Sequence, residues 1–313
     1  MLHSILVPVD GSPSGEQAIP LAIQLAARDG ARLDLVLVTD PISPLEHARG
    51  APVPDPRLDY ELRHEKTAYL TTLAERIARE HSVRAAARVE EGPVAETLAR
   101  HAAEADTDLV VMTTHHPGGI RPAWLASTAA AVVRKVNIPV LVVRPVEGHA
   151  PQASEPLPPR RVLIALDGSE PAESILDSAV LVGGNEATYV VAGGVVPDFG
   201  EALTAEIVSL ERDVTGDFRE RLRTYLDEVA RWLRGRGLRG ETTILHGPDL
   251  ASAILSCAKA YRADLIAMAM PGRDLEERLV DGIVAQDVVR GASVPVLVRR
   301  PARAPRPVEA SRG

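Results

Sequence analysis

Apolar positions along the chain fall into two alternating patterns. Short runs bounded by glycine, proline or aspartate read as strands buried on both faces: Ser4 to Asp10, Arg32 to Val38, Val83 to Val89, Asp108 to Met112 and Pro139 to Val143. Between them lie stretches with helical spacing. EQAIPLAIQLAARDG is stopped by Gly30, with Ser12 or Ser14 available as its cap. Leu58 to Glu80 carries a mixed charged face, VAETLARHAAEA follows the turn Glu91-Gly-Pro-Val94, and STAAAVVRKV precedes Pro139. The proline-rich segment from Pro41 to Pro56 is longer than an ordinary connection and is a candidate lid or insert. Five strands alternating with helices predict a parallel sheet with helices on both faces and right-handed crossovers.

The same order then runs a second time. Asp167 follows Asp10 by 157 residues, Gly247 follows Gly92 by 155, and Asp264 and Pro295 follow Asp108 and Pro139 by 156. A near-constant, domain-sized offset means two copies of one domain rather than a solenoid. The expected division is residues 1–146, a linker at 147–159, a second domain at 160–301 and a disordered tail at 302–313. The linker holds Pro151, Pro156, Pro158 and Pro159, and the tail ARAPRPVEASRG is rich in proline and arginine.

Composition changes this picture little. Charged residues make up 25% and hydrophobic residues 45%, as in ordinary globular proteins, while aromatics are 3%, so Ala, Val, Leu and Ile must build the core. A net charge of -8 argues against nucleic acid or an anionic membrane as partner. Cys257 is the single cysteine, which excludes an intramolecular disulfide framework and a cysteine-rich metal site. The N-terminal MLHSILVPVDGS enters a strand without the charged and apolar regions of a secretory leader, and no apolar run approaches membrane-spanning length, so a cytoplasmic protein is expected.

The strand ending in Asp-Gly-Ser (Asp10 to Ser12, Asp167 to Ser169), the Gly-Pro turn, the ADTDLVVM and ADLIAM runs and the closing PVLVVRP and PVLVRRP together resemble the universal stress protein family, as a tandem of two domains. The resemblance covers nearly the whole chain apart from linker and tail. It implies, for each half, a doubly wound five-stranded α/β domain of adenine-nucleotide-hydrolase-like, flavodoxin-like topology. It also implies an intramolecular pseudo-dimer through Val140 to Val143 and Val296 to Val298, with association of two chains as a further step. The implied function is a stress-response regulatory protein with a partly degenerate site for ATP or another adenine nucleotide, and no catalytic turnover.

The nucleotide-binding branch of that family carries Gly-x-x-Gly, nine residues, then Gly-Ser or Gly-Thr. Glycines admit phosphates to backbone N–H groups, and a hydroxyl at the helix start adds a donor. The matching positions are Thr113, His116, Ala126 and Ser127 in the first half, where only the hydroxyl is kept. In the second they are Ala269, Gly272, Gly282 and Ile283, where two glycines are kept and the hydroxyl is lost. At the nucleoside end, family members use the first-strand Asp for ribose and the backbone at the end of the second strand for adenine. Pro8, Asp10 and Val38 match in the first half, and Asp167 in the second, where Ala165 replaces the proline and Gly193-Gly194 obscures the alignment.

Asp-Gly-Ser is also an ordinary strand-ending turn with a helix cap, and Ser127 an ordinary N-cap. His115 and His116 lack carboxylate or cysteine companions at metal-ligand spacing. Two alternatives stand beside the nucleotide reading. One is an interaction module that binds no nucleotide and acts on an unknown protein partner through its paired-domain surface. The other is an enzyme of the same broad fold. The chain offers that enzyme no Ser-Gly-Gly-x-Asp-Ser loop, no Gly-x-x-x-x-Gly-Lys-Ser/Thr loop and no His-x-Gly-His pair.

Overall fold

A computed structural model describes residues 1–39, 56–114, 127–145, 159–196, 205–246, 249–270 and 279–301. The first half runs β1 (Ser4–Pro8), a 3-10 turn (Gly15–Ala18), α1 (Ile19–Asp29), β2 (Arg32–Thr39), α2 (Pro56–His81), β3 (Arg84–Glu91), α3 (Val94–Glu104), β4 (Leu109–Thr113), α4 (Thr128–Lys135) and β5 (Val140–Val143). The second runs β6 (Arg161–Leu166), a short α5 (Glu170–Glu173), α6 (Ile175–Gly183), β7 (Thr188–Val196), α7 (Ala205–Gly235), β8 (Arg239–His246), α8 (Leu250–Ala260), β9 (Leu265–Ala269), α9 (Leu279–Gly291) and β10 (Val296–Arg299). The candidate lid up to residue 55, the linker up to residue 158 and the tail lie outside the described residues.

Among the described residues, ten strands form one sheet in the order β3-β2-β1-β4-β5-β10-β9-β6-β7-β8. Every pairing within a half is parallel, and the two halves meet where β5 and β10 pair antiparallel. In that pairing Val142 faces Val296, Leu141 faces Leu297 and Val140 faces Val298. The register is symmetric about the Leu141–Leu297 pair, as the last-strand pseudo-dimer requires.

Alternate side chains of each strand face opposite sides of the sheet. Ile5, Val7, Leu33, Leu35, Leu141 and Leu297 belong to one core, covered by α1, α2, α6 and α7. Leu6, Val36, Val110, Val140, Val142 and Val298 belong to the other, covered by α3, α4, α8 and α9. Both cores run across the β5–β10 junction, so apolar burial joins the halves on either face.

Two aspartates read at first only as strand boundaries have a defined task. Asp108 Oδ2 accepts from the His3 and Ser4 N–H groups at 2.6 and 3.0 Å, and Asp264 Oδ2 accepts from those of Arg160 and Arg161, each at 2.9 Å. Each carboxylate therefore pins the start of the first strand of its half beside the start of the fourth. The first helix also differs from the sequence expectation. Pro20 cannot donate to Glu16 and its ring crowds that carbonyl, so GEQA forms a 3-10 turn and the α-helix starts only at Ile19. Ser14 makes no side-chain cap, whereas Ser12 Oγ accepts from the Gly15 N–H at 3.0 Å.

Candidate functional site

In each half the sheet reverses its winding between the first and fourth strands, and the crevice outside their carboxyl ends is the ligand position of a doubly wound fold. In the first half, Pro8 closes β1 in register with Val36, and Val38 lies two residues further along β2. Thr113 ends β4, buried, and the next residue's N–H reaches Val143 O at 3.0 Å. Pro8, Asp10, Val38 and Thr113 therefore gather at one edge. Ser127 joins that edge by topology, because α4 must run back from the carboxyl end of β4 to start β5 parallel to it. Ser127 Oγ accepts from the Ala130 N–H at 3.1 Å as an N-cap. His116 and Ala126 lie outside the described residues.

The Asp-Gly-Ser segment is a turn in both halves. Gly11 (φ 82°) and Gly168 (φ 83°) occupy the left-handed region that only glycine enters freely. Asp10 Oδ1 accepts from the Ser12 N–H at 2.9 Å and from its hydroxyl at 2.7 Å, and Asp167 Oδ1 accepts from the Ser169 N–H at 2.8 Å. Ser169 caps α5 through Ala172 N–H. Both carboxylates remain solvent-exposed at the mouth of their crevices.

Beside each turn stands a tyrosine–glutamate combination missed by the sequence reading. Tyr69 of α2 donates to Glu16 Oε1 at 2.6 Å, and burial, the Glu16 hydrogen bond and the nearby charges of Glu16 and Asp10 hold its phenol far above the usual range. In the second half, burial together with Glu173 and Asp167 does the same to Tyr225. The repeat offset would have found both, since Tyr225 follows Tyr69 by 156 residues and Glu173 follows Glu16 by 157. This side of each crevice is anionic with a neutral hydroxyl. It suits hydroxyl-bearing groups and repels phosphate, which leaves the α4 end for any phosphate.

The second crevice is built differently. A β-bulge between Gly193 and Val195 sets Gly193 opposite Ile244 and Val195 opposite Leu245, with Gly194 (φ 60°) left over. This settles the obscured alignment: Gly193 takes the place of Leu37, and Val195 that of Val38. A Cβ on Gly193 would come within 2.8 Å of Leu226 and 3.1 Å of Leu222, so α7 sits where a side chain at this position would go. Gly282 lies within α9, and Gly272 is outside the described residues.

One buried dyad lies at the outer wall of the first crevice. His101 Nδ1 is 2.6 Å from Glu90 Oε1, and Arg100 Nη2 holds Glu90 Oε2 at 2.7 Å. The carboxylate can only accept, so Nδ1 carries the proton. His101 is 4% exposed, and its Nε2 is buried with no hydrogen-bond partner among the described residues. Among the described residues no cluster of three or more His, Cys, Asp or Glu could hold a metal ion, and no helix is long and apolar enough to cross a membrane.

The universal stress protein family matches residues 1–144 and again 159–300. The chain belongs to this family. A universal stress protein of Methanocaldococcus jannaschii is 30% identical over 145 residues, 46% of this chain and 83% of that protein. Universal stress protein G of Salmonella typhimurium is 32% identical over 146 residues, again 46% of this chain and the whole of the relative. The crystal structure of a universal stress protein from Archaeoglobus fulgidus superposes with a TM-score of 0.63 at 17% identity, covering 96% of each chain. That likeness extends the shared fold across both halves, and family membership supports a role in the stress response.

Proposed function

We propose that the chain is a cytoplasmic stress-response regulatory protein that binds an adenine nucleotide in its first half and carries out no turnover of its own. The observation behind this is the β1–β4 switch point, where the exposed Asp10 carboxylate, the ends of β1 and β2, and the N-capped start of α4 converge on one edge. Asp10 would hold the ribose hydroxyls, backbone near Val38 the adenine edge, and Ser127 with the N–H groups at the start of α4 the phosphate. Asp167 stands in the same turn, but the bulge at Gly194 and the approach of α7 alter the adenine end of the second crevice.

Calorimetric titration of AMP, ADP and ATP into the full chain tests this. Binding abolished by Asp10→Ala and retained in Asp167→Ala is the expected result. Absence of heat with every nucleotide at millimolar concentration would overturn it and leave the paired-domain surface as the functional element.

A further inference from the structure

Two arginines related by the repeat cross the junction between the halves. Arg144 and Arg300 each follow a last strand, 156 residues apart, and each donates to the final helix of the opposite half. Arg144 Nη1 reaches Arg290 O near the end of α9 at 2.9 Å, and Arg300 Nη1 reaches Arg134 O at the end of α4. The acceptors are also 156 residues apart, so this is one contact made twice. A guanidinium on the last carbonyls of a helix satisfies an orphan acceptor and opposes the negative end of the dipole.

The two contacts are unequal. Arg300 is half-buried and its Nη2 also donates to Asn137 Oδ1 at 3.1 Å, so it ties the end of α4 to the turn leading into β5. Arg144 is exposed, and among the described residues its one acceptor is Arg290 O. The helices differ as well: α4 has 8 residues and α9 has 13. A two-turn helix has no interior to insulate one end from the other, and loss of its last turn releases the first. Its first turn is the one capped by Ser127, through Ala130 N–H to Oγ and Ala131 N–H to Ser127 O, each at 3.1 Å.

We propose that Arg300 is a positioning residue for the first half's ligand site: the second half serves as a built-in clamp that keeps α4 formed and its Ser127 end aimed at the crevice. The ligand part of this rests on the nucleotide reading above; the clamp does not. It gives the second half a task that needs no ligand of its own, and it makes the first crevice incomplete in a single-domain fragment.

The pseudo-symmetric pair supplies the control. In the full chain, Arg300→Met should speed amide exchange at Ala130 and Ala131 in the ligand-free protein by about tenfold, the scale of one charge-assisted hydrogen bond. It should weaken AMP binding several-fold. Arg144→Met removes the mirrored contact and should leave both readouts within about twofold. Arg300→Lys, which retains a donor, should recover part of the exchange protection. Unchanged exchange in Arg300→Met, or equal changes in the two methionine variants, would overturn the clamp. If the unaltered protein takes up no AMP, the nucleotide reading fails while the exchange comparison still decides the clamp.

Discussion

Replacing Glu90 by leucine removes the acceptor that holds a nearly buried imidazole. His101 Nδ1 would lose its 2.6 Å contact, and Nε2 already has no hydrogen-bond partner, so the whole ring would be buried without one. A hydrogen bond to a charged group contributes about 1.5–3 kcal/mol. The exposed Arg100 adds about 0–1 kcal/mol, since it keeps Glu104 at 3.4 Å. Glu90→Leu should therefore cost about 2–3 kcal/mol, a fall of about 4–12 °C in the midpoint of a unit this size. The second half shows the remedy. Strand register places Leu245 where Glu90 stands, the helix offset places Cys257 where His101 stands, and both lie in one apolar cluster. The double variant Glu90→Leu/His101→Cys copies that solution and should return to within about 1 kcal/mol of the starting protein, because swapping a whole buried pair for apolar groups is close to neutral. Urea unfolding of both variants and of His101→Cys closes the cycle. A double variant as unstable as Glu90→Leu, or simple additivity of the singles, would refute the claim that pairing, and not packing volume, is what this site needs.

Two further outcomes follow from the same structure. At Asp29, burial raises the carboxyl, but the Arg28 guanidinium and the Leu2 N–H outweigh it and hold it below its ordinary 3.8. The folded value lies below the unfolded one, so this stabilisation is complete above the unfolded value and is lost as pH falls through the folded one. Asp29→Asn should lower the urea midpoint at pH 7, and the gap should narrow steadily in acid; a gap independent of pH would contradict the pairing. Burial pushes the Cys257 thiol up to about 11. Its thiolate fraction at pH 8 is then about a thousandth, against about a quarter for an ordinary thiol, so maleimide should label the native protein about two orders of magnitude more slowly than the urea-unfolded one, and equal rates would be the failing result.

Strand and helix order and the repeat were legible in the sequence because each rests on a periodic apolar pattern, whereas the last-strand junction was implied by the family resemblance. The structure bears that implication out, pairing the two Pro-Val-Leu-Val runs as β5 and β10. What was not legible depends on contacts between residues far apart in the chain. Asp108 and Asp264 look like strand boundaries until the first strand is laid beside them. Tyr69 is one aromatic on a charged helix face, and only the fold brings it to Glu16 and Asp10. The bulge at Gly194 breaks the constant offset by one residue, which two adjacent glycines announce without saying which is extra. At the site, the Asp-Gly-Ser turn and the Ser127 cap were readable locally. The arginines after β5 and β10 read merely as strand ends, although each reaches the final helix of the opposite half.

Antiparallel pairing of β5 with β10 has a consequence for how the halves can cooperate. Parallel strands within a half put its crevice at their carboxyl ends, and reversing direction at the junction sends the two crevices to opposite edges of the sheet. No small ligand spans them, so one half can influence the other only through the junction. That junction is reinforced unevenly. Arg28 of the first half, paired with Asp29, donates to the Leu181 and Val182 carbonyls at the end of α6, at 2.7 and 2.6 Å. Its position in the second half is taken by Gly184, which returns no such contact, and a Cβ there would meet the Arg28 guanidinium at 3.1 Å. The first half thus holds the second by α6, and the second holds the first by α4. The half with the bulged strand keeps the strand-pinning Asp264 and the crossing Arg300, the counterparts of Asp108 and Arg144. A kept framework beside an altered adenine end fits a supporting domain, and the reciprocal arginines supply the physical route for that support.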